Sequence, residues 1–289
     1  GCDLRHIKYE KTLDIKKKMV QSLVNKTLNN KIEVNNTIGM EKPFNYRNKA
    51  QYPVGLDKDG NATFGVFANR THEIIPTKDE KMGKGVFRHI VVKVGMTTEE
   101  VMCVFVVNEE KIKNEKELIL GLKEKFPEIK TIVKNVNNKN TNVILGNKNI
   151  ILYGNGYIED KLGGFTFKIS PMSFYQINPI QTEKLYNLAI QKAELTGKET
   201  IFDLYCGIGT IGIFASKHVG QVYGIEIVPQ AIEDAKENAK INNIKNAEFM
   251  VGDVEFALSE LIEKRKIMPE VVFVDPPRKG LDNTTIQNL

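Results

Sequence analysis

The chain has 289 residues, 41% of them hydrophobic, with 3 cysteines and a formal net charge of +5, enough length for two cores of ordinary domain size. No run approaches the ~20 apolar residues of a membrane-spanning helix, and three cysteines without pairing rhythm speak against a disulfide framework. With no secretory signal before Asp3, the expectation is a cytoplasmic, two-part protein. The charge is uneven. Residues 1–160 hold 27 Lys and Arg against 20 Asp and Glu, whereas residues 161–289 hold 14 against 16. A basic front joined to an acidic back suits polyanion contacts in the first part. Lysines that alternate with glutamates, as in 111–125, equally fit a solvated face.

Over residues 8–27, Leu13, Val20, Leu23 and Val24 recur at helical spacing, with Lys16, Lys17 and Lys18 partly on the opposite face. Residues 44–158 break into short apolar runs at 64–68, 88–94, 101–107, 129–135 and 143–145, with a helical stretch at 115–125. This pattern predicts an α+β domain on a mostly antiparallel sheet. Its candidate RNA contacts are Arg47, Lys49, Arg70, His72, Arg88 and His89, the last equally an ordinary strand residue. Cys103, inside the run 101–107, reads as a small core residue. The Asn-rich tracts 135–140 and 147–149 read as turns between strands, because asparagine tolerates left-handed backbone.

The chemistry-bearing stretch begins at residue 200. Ile201, Phe202 and Leu204 form an apolar strand that runs into Asp203-Leu204-Tyr205-Cys206-Gly207-Ile208-Gly209-Thr210. Strands at 221–227, 247–251 and 271–274 follow, separated by helical stretches at 210–217, 230–241 and 254–266. Apolar strands alternating with helices predict a parallel sheet covered on both faces. Each strand finishes in a carboxylate, in turn Asp203, Glu226, Asp253 and Asp275, so four acids gather where open α/β sheets bind ligands. Glu226 suits the two hydroxyls of a ribose, Asp253 the exocyclic amine of an adenine, and Asp203 a cationic ligand. Gly207 to Gly212 also matches a dinucleotide fingerprint, with Glu226 fourteen residues beyond its last glycine. A pyrophosphate, however, calls for a helix N-terminus without nearby negative charge. The acids favour S-adenosylmethionine, which carries a sulfonium and an ammonium. Asp275-Pro276-Pro277 adds a rigid wall lacking two N–H donors, against which a planar acceptor can lie; the plain alternative is a turn that ends a strand.

Ser170-Pro171-Met172-Ser173-Phe174-Tyr175-Gln176-Ile177-Asn178-Pro179, the glycine loop, Gly224-Ile225-Glu226, Gly252-Asp253 and Asp275-Pro276-Pro277-Arg278-Lys279-Gly280 together resemble the RNA (uracil-5-)-methyltransferases, within them the 23S ribosomal RNA branch. Upstream, the stretches 46–55 and 141–146 resemble the same family. The resemblance implies an α/β fold. A class I methyltransferase Rossmann-like domain, incomplete at its C-terminus, occupies 172–289, and an α+β RNA-binding domain occupies 43–171. Residues 1–42 are then a cluster-loop remnant and a leading helix packed on the methyltransferase domain. It further implies donor contacts from Gln176, Tyr205, Gly207, Thr210, Glu226, Asp253 and Asp275, with Gln176 and Asp275 bordering the uracil slot. The implied partner is 23S ribosomal RNA, bound by a monomer with S-adenosylmethionine.

Carbon 5 of uracil is a poor nucleophile, so a thiolate must first add to carbon 6 and a base must later remove the carbon 5 proton. The three cysteines are Cys2, Cys103 and Cys206, and none stands after the fourth strand, where the family keeps its nucleophile. The expectation is a truncated enzyme, inactive by itself, whose thiol and base follow Leu289. Cys206 reads as loop packing. Cys2 resembles the end of the segment that holds a 4Fe–4S cluster in many ribosomal members; its fellow ligands are missing, and a lone cysteine there is equally unremarkable. Between residues 77 and 85 the family places a longer segment, so either an internal piece is missing or this member has lost the cluster. The target base must leave its stack to be attacked from above the ring, with Phe174 and Tyr175 as stacking, wall or core residues. Three other readings stay open: a transfer RNA substrate, an RNA-binding protein with a degenerate nucleotide pocket, and an amino-group methyltransferase.

Overall fold

The computed structural model describes residues 4, 6–28, 32–56, 61–67, 74–76, 86–139, 141–277, 280–281 and 283–288. Helix α1 (Tyr9–Thr27) opens the chain. The stripe expected on it is only half covered: Leu13 and Val24 are half-buried, while Val20 and Leu23 stay exposed. The reason is what packs against it. Residues 32–40 run back along the helix, fixed by Gln21 to Ile32 and Val34, by Thr37 Oγ1 to the Leu13 carbonyl, and by the Tyr9 hydroxyl accepting from the Met40 amide.

A seven-stranded sheet follows, built from β1 (Lys49–Leu56), β2 (Ala62–Phe67), β3 (Ile74–Pro76), β4 (Phe87–Val94), β5 (Val101–Val107), β6 (Ile129–Val136) and β7 (Lys148–Tyr153) in the order β3-β2-β1-β4-β5-β6-β7. Only β5 and β6 run parallel, joined by helix α2 (Glu115–Lys125) as a parallel crossover requires. Strand β5 shows why the run 101–107 is apolar throughout. Cys103, Phe105 and Val107 face a cluster closed by Leu118, Ile119 and Leu122 of α2. Met102, Val104 and Val106 face the opposite way into the main core. Both faces are covered, so period 2 disappears from the sequence.

The run 143–145 is not a strand. The Asn137 carboxamide donates to the Val143 and Ile144 carbonyls, which takes them out of any ladder. Asn135, expected in a turn tract, is fully buried near the end of β6; it donates to the Gly146 carbonyl and Asn149 Oδ1 and accepts from the Gly146 amide. The asparagines therefore brace the loop from inside. Asn149, likewise expected in a turn, lies within β7.

A hairpin of β8 (Ile158–Leu162) and β9 (Phe165–Ile169) comes next. It packs between the large sheet and the last part of the chain, and one apolar cluster runs from Val91, Met102 and Val104 through Phe165 and Phe167 to Ile208, Phe214 and Phe249. Helix α3 (Pro179–Lys192) has proline at its first turn, and the Asn178 side chain caps it by accepting from the Gln181 amide.

The second large sheet is wholly parallel, with β10 (Thr200–Leu204), β11 (Gln221–Glu226), β12 (Ala247–Val251) and β13 (Val271–Val274) in the order β12-β11-β10-β13. Helices α4 (Thr210–Ala215), α5 (Pro229–Ile241), α6 (Val254–Ser259) and α7 (Asn283–Asn288) accompany it. Ile201, Phe202 and Leu204 are fully buried, each contributing about 1.5–3 kcal/mol. Two of the helices are shorter than the sequence suggests. Beyond Ala215 the chain tightens into a 3₁₀ turn, and beyond Ser259 it widens into a π-helical turn in which the Arg265 amide reaches the Glu260 carbonyl. Strand order reverses beside β10, which opens a crevice at the carboxyl edge between β10 and β13.

Candidate active site

The loop after β10 turns sharply. Tyr205 adopts φ 61°, a left-handed conformation rare for a bulky residue and a mark of functional loops. Gly207 and Gly209 also have positive φ, at 56° and 80°. A side chain on Gly209 would strike the Phe249 ring, 2.9 Å from its Cβ position, whereas one on Gly207 would point into open space. Gly209 is thus required by packing and Gly207 by its backbone angle, and the backbone at Gly207 is left bare on the side where a ligand can approach.

Three carboxylates stand at the carboxyl edge of the sheet. Glu226, at the end of β11, is half-buried and accepts from the Gly207 amide at 3.2 Å and the Val228 amide at 3.0 Å. Asp253 caps α6 by accepting from the Glu255 amide at 3.1 Å and is exposed. Asp275, exposed after β13, accepts from Gln176 Nε2 at 2.9 Å. Close in sequence to Glu226 and Asp253 are two large exposed apolar side chains, Ile227 at 60% and Phe256 at 74%.

Asp203 does not stand with them. It is fully buried in β10, with β11 and β13 on either side, and its Oδ2 accepts from the Gly212 amide at 2.8 Å, while Oδ1 has no partner among the described residues. Burial raises its pKa to about 7, the charges of Asp275 and Glu226 push the same way, and the Gly212 hydrogen bond opposes them. The expectation that it meets a cationic ligand directly is therefore corrected. Asp203 lies within the sheet and holds α4 through the Gly212 amide.

Gln176 is held at the rim from the other side of the molecule. The Asn48 amide and carboxamide donate to the Ile177 and Gln176 carbonyls at 3.1 and 2.9 Å, and the Val94 amide donates to the Asn48 carbonyl. Lys93 of β4 is buried, and its ammonium donates to the carbonyls of Ser170 and Ser173 at 2.8 and 2.9 Å. The hydroxyls of both serines meet Asp234 of α5 at 2.9 and 2.8 Å. Burial lowers the Lys93 pKa to about 7, Lys49, opposite it in the β1–β4 register, acts in the same direction, and Asp234 opposes. One signal for this network was present in the sequence: a lysine two residues after Val91 in an apolar strand shares its inward face.

A family model described as tRNA (uracil-5-)-methyltransferase matches residues 8–289. The chain belongs to this family. An RNA methyltransferase of Clostridium acetobutylicum, named as uncharacterized, is 45% identical over 320 aligned positions, covering 100% of this chain and 69% of the relative. One of Staphylococcus aureus is 41% identical over 318 positions, covering 100% and 70%. Both alignments are longer than the 289 residues here, so each relative carries residues inserted with respect to this chain. Among solved structures, the Pyrococcus abyssi tRNA (uracil-54, C5)-methyltransferase in complex with S-adenosyl-L-homocysteine aligns with a TM-score of 0.77 at 26% identity, over 100% of this chain and 72% of that one. The fold is accordingly mixed α/β with a parallel-sheet methyltransferase domain, and the chain is placed among RNA methyltransferases.

Of the residues singled out from the sequence, Gln176, Tyr205, Gly207, Glu226, Asp253 and Asp275 all occupy the carboxyl edge of the parallel sheet or the loops above it. Thr210 begins α4, and its hydroxyl lies 3.2 Å from that of Tyr186, a residue of α3 that sequence reasoning passed over. Phe174 and Tyr175 part company: Phe174 is 65% exposed, while Tyr175 is buried against Phe167. Arg88 is engaged in bracing a loop through the Asn137 and Lys139 carbonyls, and His89 is half-buried. Arg70, His72 and Cys2 lie outside the described residues, as do 77–85. Among the described residues no group of three His, Cys, Asp or Glu is disposed to hold a metal ion. No helix among them is long and apolar enough to cross a membrane.

Proposed function

We propose that this chain carries the donor site and RNA platform of an S-adenosylmethionine-dependent methyltransferase acting on carbon 5 of a uridine in 23S ribosomal RNA. The observation that carries the reading is the set of acids Glu226, Asp253 and Asp275 on one sheet edge, with Gln176 bonded to Asp275. When bound, the donor supplies an electrophilic methyl on a sulfonium. The chain's residues fit it. Glu226 is oriented by two backbone amides and keeps lone pairs for ribose hydroxyls. Ile227 and Phe256 offer bare apolar surface for an adenine whose amine Asp253 accepts. Asp275 places negative charge where the sulfonium and the target ring meet, and Gln176, fixed at its backbone by Asn48, borders the slot for the uracil.

The attacking thiol is neither described cysteine. Cys103 is buried, which pushes its pKa up to about 12, and Cys206 is buried beside Asp203 and Glu226, which raise it further. A thiol at such a pKa gives almost no thiolate at neutral pH. By the family's pattern, the reading expects the nucleophile and the base after residue 289. In domain terms, 43–171 presents the RNA and 172–289 holds the donor, with the segment that follows the leading helix tied to α3 by Gln181 donating to the Ile38 carbonyl.

One observation favours a second substrate: the Pyrococcus abyssi neighbour acts on uracil 54 of tRNA. Labelled-donor assays on transcripts of both RNA classes, with this chain and with a form extended beyond Leu289, decide the matter. The expected product is 5-methyluridine in 23S RNA with the extended form only. Transfer to tRNA alone supports the second reading, and 5-methyluridine made by residues 1–289 alone overturns the placement of the thiol.

A further inference from the structure

A hollow of about 420 Å³ lies over the outer face of the β1–β4 pair, walled by Phe44, Tyr46 and Tyr52 and floored by Ala50, Val92 and Val94. Its chemistry is unusual for a plain surface dent. Phe44 is 60% exposed at the lip, and the Arg47 guanidinium sits 5.9 Å above the Tyr46 ring. Among the described residues Arg47 makes this ring contact and no ion pair. Tyr52 is set edge-on to Phe64, ring centroids 6.0 Å apart, which fixes the far wall. Ala50 lies opposite Val92 in the strand register, so the floor is small and apolar. Aromatic walls, a flat apolar floor and a cation at the mouth are what a nucleobase and its phosphate require.

The hollow is linked to the candidate active site by hydrogen bonds. Asn48, which also lines it, is bonded to the backbone of Gln176 and Ile177, and Gln176 in turn reaches Asp275. A chain of two hydrogen-bonded residues thus separates the two places. A uridine turned out of its stack leaves a neighbour whose own stacking partner is gone, and that neighbour needs a new aromatic surface close by. The basic excess of residues 1–160 favours a polyanion over an apolar peptide as occupant.

We propose that this hollow is a stacking subsite for the nucleotide adjacent to the target uridine, with Tyr46 and Phe44 as the base-stacking rings and Arg47 as the contact to its phosphate. The proposal rests on the reading of the protein as an RNA uridine methyltransferase and adds a determinant of sequence context to it. Stacking tolerates every base but favours purines, so the subsite reads the size of the flanking base.

The test is a binding cycle by fluorescence anisotropy with a single-stranded RNA nonamer carrying one uridine, against versions with an abasic residue on its 5′ or its 3′ side. One of the abasic RNAs is expected to bind the unaltered chain about tenfold more weakly. With Phe44→Ala/Tyr46→Ala the intact RNA loses about the same factor, and the abasic one loses nothing more. Tyr46→Phe keeps the ring and binds as the unaltered chain does. Calorimetric binding of S-adenosylhomocysteine, unchanged in the double variant, shows that the variant is folded. Independent losses that multiply, or no effect of either abasic residue, overturn the subsite and leave the methyltransferase reading standing. Failure of the unaltered chain to bind the intact RNA while it still binds S-adenosylhomocysteine removes the RNA reading, and the subsite with it.

Discussion

Gln176 and Asp275 are 99 residues apart in sequence, and Gln176 Nε2 donates to Asp275 Oδ2 at 2.9 Å. The bond joins the loop before α3 to the end of β13, and it engages only one oxygen of Asp275. Asp275→Asn keeps an acceptor for Gln176 and removes one negative charge. S-adenosylmethionine is expected to bind the variant about fivefold more weakly, the effect of ~1 kcal/mol from one charge near a solvated rim. S-adenosylhomocysteine, whose sulfur is neutral, is expected to lose less. Competition titration of the two ligands measures the difference directly, and equal losses would show that Asp275 contributes its hydrogen bond rather than its charge.

Lys93 joins the large sheet to the loop that presents Gln176, since its ammonium serves two buried carbonyls, Ser170 and Ser173. Lys93→Met fits an apolar strand but leaves the Ser173 carbonyl without its donor and the Ser170 carbonyl with only the Ser173 amide at 3.3 Å. A cost of about 1–3 kcal/mol follows from the one orphaned carbonyl, offset in part because an amine with a depressed pKa is no longer buried. The urea midpoint reads it. The pKa of about 7 lies below the ordinary lysine value, so the unfolded chain binds the extra proton between pH 7 and 10.5, and stability is expected to rise with pH across that window. In Lys93→Met this rise disappears.

Asp203 gives the opposite slope. Its folded pKa of about 7 lies above the ordinary aspartate value of 3.8, so the folded chain holds the proton where the unfolded chain has released it. Stability from this group is fully present below pH 4 and is lost as pH rises through 7. Asp203→Asn keeps an oxygen for the Gly212 amide and cannot ionise. Its thermal midpoint should match the unaltered chain near pH 4 and exceed it at pH 8. A midpoint difference that does not change with pH would contradict the burial of an ionisable Asp203.

Both described cysteines should resist alkylation. Cys103 and Cys206 are buried with raised pKa values. Iodoacetamide at pH 8 followed by peptide mass spectrometry is expected to leave them unmodified until denaturant is added. Rapid labelling of Cys206 in the native chain would reopen it as a candidate nucleophile beside the glycine loop.

Much of the parallel sheet was readable because each strand is an apolar run closed by an acid, and the strands at 247–251 and 271–274 and the helix at 115–125 keep the expected bounds. What the sequence could not tell is which way a residue at a strand end points. Asp203 and Glu226 look alike as terminal acids, yet Asp203 lies one residue short of its strand's end and turns inward beneath α4. Long-range polar partners were equally hidden. Lys93 meets groups 77 and 80 residues away, and nothing local marks that distance. The apolar run 143–145 misled because Asn137 takes its carbonyls. The β8–β9 hairpin went unread although Gly163 and Gly164, both at positive φ, mark its turn.

The central claim is that the acidic rim holds the methyl donor, and an isothermal titration of residues 1–289 with S-adenosylhomocysteine tests it most directly. The account predicts binding heat that vanishes in Glu226→Ala, because that carboxylate is the one positioned by the Gly207 and Val228 amides for the ribose. Heat that survives Glu226→Ala unchanged, or displacement of the ligand by a nicotinamide dinucleotide at lower concentration, would contradict it.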